Sequence, residues 1–428
     1  MLTLSKTTNI PSNEMTMQIL NANLDERPIY VDLEKIHMNI LAIERQLSEK
    51  NKIFKEISGM DYSRPAFVRW VQANNLDRFF SMTPTGDVST NKDSIQTALT
   101  SGMEEHHKDV VRLCASMGKL TTSKQSIIPF LQNPQSKLPS CDGHRMLEVV
   151  PQWSRQNTGR LGMSKPAIQN IPRELQDIIT VPRGYKLIHT DSGQVEPRIT
   201  YSAYVKDPQI KALIELYNDA YFGLLHYCTM PQSFIDSRTT TFEKMEITDS
   251  MKAGRKKIKT YGNAVMYGST KEEDAIKSAM IKRIGNHPSR LQLIESIKDT
   301  LSRGITVFPT YFGTPIDIGN SQKLQTYDRE KELVKLAINN PIQATAADLM
   351  RYSVLQANSI LLNETKNSTI ICYIHDAGLF CVEEDRFDVV KDRLCDIVSY
   401  QVDDWIKIYA EPEIYQFNEN GFYTHYPY

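Results

Sequence analysis

No run of apolar residues in this chain approaches the length of a membrane span, and the opening MLTLSKTTNIPSNEM is broken by polar residues and Pro11 before an apolar signal core can develop. No membrane partner is therefore expected, and a cytoplasmic setting follows by default. Low-complexity tracts are also missing, so the chain reads as a folded soluble protein. The six cysteines, Cys114, Cys141, Cys228, Cys372, Cys381 and Cys395, include no C-x-x-C pair, and Cys141 with His144 is too little for a zinc site. They read as reduced structural thiols. An excess of charge of one sign is absent too: 50 Lys and Arg against 51 Asp and Glu leave a formal net charge of −1. Any nucleic-acid partner must then be held by a local concentration of basic side chains. What remains is 428 residues, 40% apolar and 24% charged, enough for two or three domains around a sizeable core.

Two stretches organise the chain. Residues 185–204, YKLIHTDSGQVEPRITYSAY, read as a short strand over 185–190 that delivers Asp191 to its end and turns into a helix, since Pro197 is at ease only in a first helical turn. Residues 368–384, STIICYIHDAGLFCVEE, read as two apolar strands joined at His375, Asp376, Ala377 and Gly378. Each aspartate alone is also what a solvated turn carries. Side by side, the two could hold divalent metal.

The rest of the chain divides as follows. Residues 1–24 are polar and expected to be poorly ordered. After a short strand, Asp32 is expected to cap a helix running to residue 55, with Leu33, Ile36, Ile40, Ile43 and Leu47 on its inner stripe. Ser89 and Thr90 signal the start of another helix. Residues 110–132 read as a helix bearing Lys119, Thr121, Thr122, Ser123 and Lys124, a cluster that suits phosphate contact and equally suits a solvated face. Residues 157–174, NTGRLGMSKPAIQNIPRE, follow no period and read as an irregular, ligand-contacting or surface loop. Residues 206–245 are expected to be mostly helical. In residues 247–269, Arg255, Lys259, Asn263 and Tyr267 recur every four residues along one helix face, with Gly268 as the stop. With Lys252, Lys256 and Lys257 this is the densest positive patch, fit for a phosphate chain or simply solvated. Residues 302–320 read as a loop or hairpin. A helix over 336–357 is expected to open with Asn339, Asn340 and Gln343, amides able to bond base edges. Another is expected over 385–406 with Val389, Val390, Leu394, Ile397 and Val398 inward.

In order, TGRL with QNIP, DSGQVEPR, RKKIKTYGNAVMYG, NNPIQATAAD and YIHDAG resemble the motifs of family A DNA polymerases, and VDLEKI and TPTGDVST resemble that family's thumb. The resemblance runs from about residue 25 to the C-terminus. It implies an α/β (α+β) right-hand fold: an N-terminal segment (1–24), thumb (25–140), palm (141–205), fingers (206–330) and palm again (331–428), with an antiparallel palm sheet carrying the carboxylates. It implies template-directed addition of dNTPs to a primer 3′ end, with primer-template DNA as partner and separate replication proteins as further partners. Two Mg²⁺, replaceable by Mn²⁺, would be held by Asp191, Asp376 and the Ser192 carbonyl. Arg255, catalytic Lys259, Asn263, Tyr267, Gln194 and the sugar-selecting Glu196 would hold the nucleotide. Arg160, Gln169, Asn170, Asn339, Gln343, His375, Lys119 and Lys124 would hold primer and template.

Asn263 stands where the family usually has an aromatic, Ala377 where it has the Glu of HDE, and Ser192-Gly193 where it has Tyr-Ser; the arginines usual near Gly313 are missing. Weaker nucleotide holding is expected from Asn263. With about 155 residues ahead of TGRL, no proofreading domain is expected, and the setting suits a minimal polymerase of a virus or mobile element in its host's cytoplasm. A single-subunit RNA polymerase and a non-catalytic primer-template-binding factor are the alternatives; Glu196 and the QNIP loop argue against the first.

Overall fold

Tyr185–Ser192 is the middle strand of a five-stranded antiparallel sheet. On one side it pairs with Ala377–Glu383, which in turn pairs with Thr369–Ile374; on the other it pairs with Ala410–Phe417, followed by Tyr423–Pro427. The run from Ala377 to Val382 is buried throughout, as expected of a central strand covered on both faces. In the computed structural model the described residues are all except 27, 84, 133–145, 157, 267, 320–328, 375–376, 403, 405, 409, 418–422 and 428. Two units are distinguished: Met1–Arg27 with Trp153–Gly162 and Val181–Tyr428, and Pro28–Gln152 with Met163–Thr180. No helix among the described residues is long and apolar enough to cross a membrane.

In the first unit the chain leaves the central strand through Gly193 and Gln194, the latter left-handed at φ 58°, and enters the helix Val195–Ile199 with Pro197 in its first turn. The predicted strand-to-helix turn is present. Val195 and Ile199 pack with Phe308, Ile316, Leu336, Ile342, Leu349 and Tyr400. A second cluster, including Tyr201, Ile210, Leu213, Leu224, Leu225, Ile258 and Val265, unites Pro208–Tyr217, Ala220–Thr229 and the basic helix Asp249–Met266. Each such fully buried side chain contributes about 1.5–3 kcal/mol. The basic helix is described to Met266 with Gly268, at φ 96°, just past it, and residues 302–320 contain the hairpin Val307–Pro309 with Pro315–Asp317, both as read. Residues 206–245 hold the helices Pro208–Tyr217, Ala220–Thr229 and Gln232–Asp236, but residues 237–245 are not helical.

Three expectations are corrected here. The first 24 residues form the strand Leu2–Leu4, parallel to Tyr400–Val402, and most of the helix Asn13–Glu26. Thr16, Leu20 and Leu24, spaced by four, are buried; a polar average hid one apolar stripe. The helix expected from 336 spans Arg329–Glu364 with Pro341 inside it. Asn339 and Gln343 therefore lie within a helix largely covered on all sides, where burial overrides proline's preference for a first turn. The helix expected over 385–406 is confined to Phe387–Asp396, with Val389 44% exposed; Ile397 and Val398 are buried beyond it, and strands Tyr400–Val402 and Ile406–Ile408 follow because pairing partners exist for them.

In the second unit, Ile29–Asp32 sits between Met146–Val149 and Ile179–Thr180. Asp32 caps the helix Leu33–Ser58, accepting from the Lys35 amide at 2.9 Å. Asn91, not Ser89 or Thr90, caps Lys92–Thr100. The next helix runs from Glu105 to Gln132. Phe54, Phe67, Trp70, Val111, Cys114 and Met117 form the core. Burial pushes the Cys114 thiol up to about 12, which keeps it protonated and inert. Cys114, Cys228, Cys372, Cys381 and Cys395 are all buried and in no disulfide; Cys141 lies outside the described residues.

Candidate active site

Asp191 occupies the penultimate position of the central strand, half-buried, paired in register with Ala377 on one side and Glu411 on the other. Ala377 follows Asp376 in sequence; Asp376, His375 and Tyr267 lie outside the described residues, as does the side chain of Asn263. Ser192 is buried, paired in register with Ala410, and its hydroxyl donates to the Val398 carbonyl at 2.9 Å.

Glu196, in the first turn of the helix that follows Asp191's strand, forms an ion pair with Arg160 of the TGRL segment, and both are about one-fifth exposed. Gln194 ties the strand end to the next element: its Nε2 donates to Asp219 Oδ2 at 2.8 Å and its Oε1 accepts from the Ala220 amide at 2.7 Å. Asp219 caps the helix Ala220–Thr229, and Arg255 of the basic helix donates to its Oδ2 from Nε at 2.9 Å and Nη2 at 2.6 Å. Burial works to raise the Asp219 carboxyl, but the Arg255 hydrogen bonds, the Phe222 amide, the Arg255 charge and Gln194 outweigh it and hold it below its ordinary value. Lys259 is exposed, its ammonium 5.9 Å from the Tyr221 ring centre, and Arg255 stands 5.2 Å from the same ring. One aromatic ring thus lies beside both cations expected at the triphosphate.

The sequence-predicted residues divide between the units. Arg160, Asp191, Ser192, Gln194, Glu196, Arg255, Lys259, Asn339 and Gln343 belong to the first, and Lys119, Lys124, Gln169 and Asn170 to the second. Gln169 accepts from the Met163 amide at 3.1 Å, while Asn170 is exposed. The lysine and hydroxyl cluster is not an open phosphate cradle. Thr121 and Thr122 donate to the Met117 and Gly118 carbonyls, Ser123 is buried, and Lys124 is paired with Glu44. Lys119 is paired with Glu174 but stays 71% exposed. These hydroxyls satisfy their own helix first, as threonine does mid-helix.

Sequence reading missed Asp219 and Tyr221. An aspartate just ahead of a helical run is a readable cap signal, but its second role depends on Arg255, 36 residues away. It also missed the buried pair Asp348 and Arg351 on the long helix, whose spacing of three was the available signal.

The profile of DNA polymerase family A matches residues 70–411. DNA polymerase I of Pseudomonas aeruginosa is 23% identical over 399 residues, covering 87% of this chain and 41% of that protein. DNA polymerase I of Aquifex aeolicus is 22% identical over 389 residues, covering 87% and 60%; that of Mycobacterium bovis is 27% identical over 262, covering 55% and 26%. The chain thus spans less than two thirds of the length of these relatives. A solved structure, the POL domain of Pol1 from M. smegmatis in complex with DNA primer-template and dNTP, is similar at a TM-score of 0.74 and 19% identity, covering 94% of this chain and 69% of that one; at this identity it supports the fold. With the profile matching well over half the chain and the motif-bearing strand and helices folded as that family's order implies, the chain belongs to DNA polymerase family A.

Proposed function

We propose that this chain is a template-directed DNA polymerase that adds deoxynucleotides to a primer 3′ end. The observation that carries the reading is Asp191 at the end of the central strand, in register with Ala377, which directly follows Asp376 in sequence. Carboxylate and carbonyl oxygens are the hard ligands Mg²⁺ and Mn²⁺ take, and no ion pair engages Asp191 among the described residues, so the donors fit a divalent ion. Asp191, Asp376 and the Ser192 carbonyl are the residues that would hold it. Bound metal would lower the pKa of the attacking hydroxyl and offset charge on the leaving phosphates.

The chain's own residues account for the rest. Lys259 and Arg255 hold the triphosphate and balance its charge, with Asp219 orienting the Arg255 guanidinium. Glu196 fills the space of a 2′-hydroxyl. Arg160, Asn339, Gln343 and His375 act on the primer terminus and template, and Lys119 adds a phosphate contact. Primer-template DNA and dNTPs are the partners.

The test is extension of a labelled primer by the wild type and by Asp191→Asn, with Mg²⁺ and either dNTPs or rNTPs. Extension with dNTPs should fall by roughly a thousandfold or more in Asp191→Asn, because a ligand that lowers the barrier by several kcal/mol is gone. Primer-template affinity should persist. Near-wild-type extension by the variant removes Asp191 from the site, and preference for rNTPs would make the protein an RNA polymerase.

A further inference from the structure

Arg351 lies buried in the long helix and joins separate pieces of the first unit. Its Nη2 donates to Asp348 Oδ1, its Nε to the Pro11 carbonyl at 3.0 Å, and its Nη1 to Asn13 Oδ1 at 3.1 Å and the Gly159 carbonyl at 3.3 Å. Asp348 is itself fully buried, and its Oδ2 accepts from Thr310 Oγ1 at 2.6 Å and Thr314 Oγ1 at 3.1 Å, both from the hairpin region. Residue 159 can only be glycine without strain: its φ is +77°, and a Cβ there would stand 3.1 Å from Arg351 Nη1. The loop is closed by the Gly159 amide donating to the Gln156 carbonyl and the Gln156 amide to the Arg160 carbonyl, each at 2.9 Å. Arg160, the next residue, pairs with Glu196.

A guanidinium is costly to bury, and its planar fork holds several acceptors in fixed directions. Here two of those acceptors are main-chain carbonyls of distant segments, so their relative place is fixed whatever their side chains do. We propose that Arg351 is a positioning residue: it sets the Gly159–Arg160 loop against the long helix, and through that loop the Arg160–Glu196 pair. Pro11 and Asn13 belong to the same device, which makes the N-terminal stretch part of the site's support. Asp348 orients the guanidinium from below and balances its charge. The functional half of this proposal rests on the polymerase reading above; the structural half does not.

The experiment uses the full chain and its Arg351→Met, Arg351→Lys, Arg160→Ala and Arg351→Met/Arg160→Ala variants. Amide hydrogen exchange is read over residues 153–162, and kcat, dNTP KM and rNTP-against-dNTP preference are read from primer extension. Arg351→Met should raise exchange in that segment and lower kcat by roughly tenfold or more, as a misplaced contact does, with a smaller change in KM. Arg351→Lys, which keeps the charge beside Asp348, should recover part of both. The double variant should be no worse than Arg160→Ala alone, the signature of one residue acting through another. Unchanged exchange in 153–162, or losses that multiply independently in the double variant, overturns the proposal. Should Arg351→Met fail to fold, Asn13→Ala provides the same exchange readout, and no change there is equally decisive. A wild type that extends no primer would defeat the polymerase reading alone, because exchange still decides whether Arg351 holds the loop.

Discussion

Glu196 has one partner in the structure, Arg160, and on the proposed reading a second task at the sugar of the nucleotide. If the proposed sugar-selecting role holds, removing it opens space at a nucleotide's 2′ position; in either case it leaves the mostly buried Arg160 guanidinium without that carboxylate. Glu196→Ala should therefore raise ribonucleotide incorporation relative to deoxynucleotide by roughly tenfold, about 1.4 kcal/mol, while lowering total activity. Competition between rNTP and dNTP in primer extension checks it, and unchanged preference removes Glu196 from the gate. Asp219 makes a prediction in pH. Its folded-state value is depressed because the contacts from Arg255, Phe222 and Gln194 outweigh its burial. The ionised form thus favours the folded chain: the contribution is fully present above the ordinary carboxylate range and is lost as pH falls through the depressed value. Asp219→Asn should cost about 1–3 kcal/mol at neutral pH and almost nothing in acid, so the two stability curves converge as pH falls. Denaturant unfolding across that range tests it, and parallel curves would mean Asp219 is not charged against Arg255. Asp191 and Glu196 were legible from sequence because one strand-turn-helix carries both. Asp219 was not, because its role depends on an arginine in another helix.

At the scale of elements, helices with local signals were read correctly. Asp32 and the stripe through Ile36 and Ile43 marked Leu33–Ser58, and spacing by four marked the basic helix. Boundaries set by burial were misread, as Pro341 inside the long helix shows. Crossings between helices left hardly any sequence signal beyond glycine. Gly223 lies where Ala220–Thr229 crosses Pro208–Tyr217, and a Cβ there would stand 2.8 Å from the Ile214 amide nitrogen and 2.9 Å from its Cα. Two opposed effects attend Gly223→Ala. Alanine gains about 0.5–1 kcal/mol of helix propensity. Forcing two backbones apart costs about 1–3 kcal/mol, because the obstruction is main chain and cannot rotate away. The cost should win. Gly223→Ala should lower the unfolding free energy, and since Asp219 caps this same helix, it should also raise the nucleotide KM. A stabilised variant in thermal unfolding would show that the crossing is looser than the geometry requires.

Over the whole chain, the least legible feature is the role of its first residues. The motifs that carry the family resemblance start well beyond them, and the family profile begins at residue 70. Their polar composition suggested little order, since a three-residue strand has too few positions for periodicity to appear. What orders them is a partner almost 400 positions away: Leu2, Thr3 and Leu4 pair in register with Tyr400, Gln401 and Val402. Leu4 is 3% exposed and packs in the same cluster as Val195 and Ile199, the residues just beyond Asp191. Deleting residues 1–10 removes this strand but keeps Pro11 and Asn13. The loss should be about 1.5–3 kcal/mol for Leu4, plus about 1 kcal/mol for each ladder hydrogen bond no longer made. The ion pair between the Met1 ammonium and Asp396, at 3.2 Å, adds little because both groups are well solvated. The truncated chain should therefore unfold at lower denaturant concentration. Its slope against denaturant should change little, because ten residues are a small part of the surface exposed on unfolding. An unchanged midpoint would mean that Tyr400–Val402 needs no cover and that the cluster beneath Asp191 is closed without Leu4.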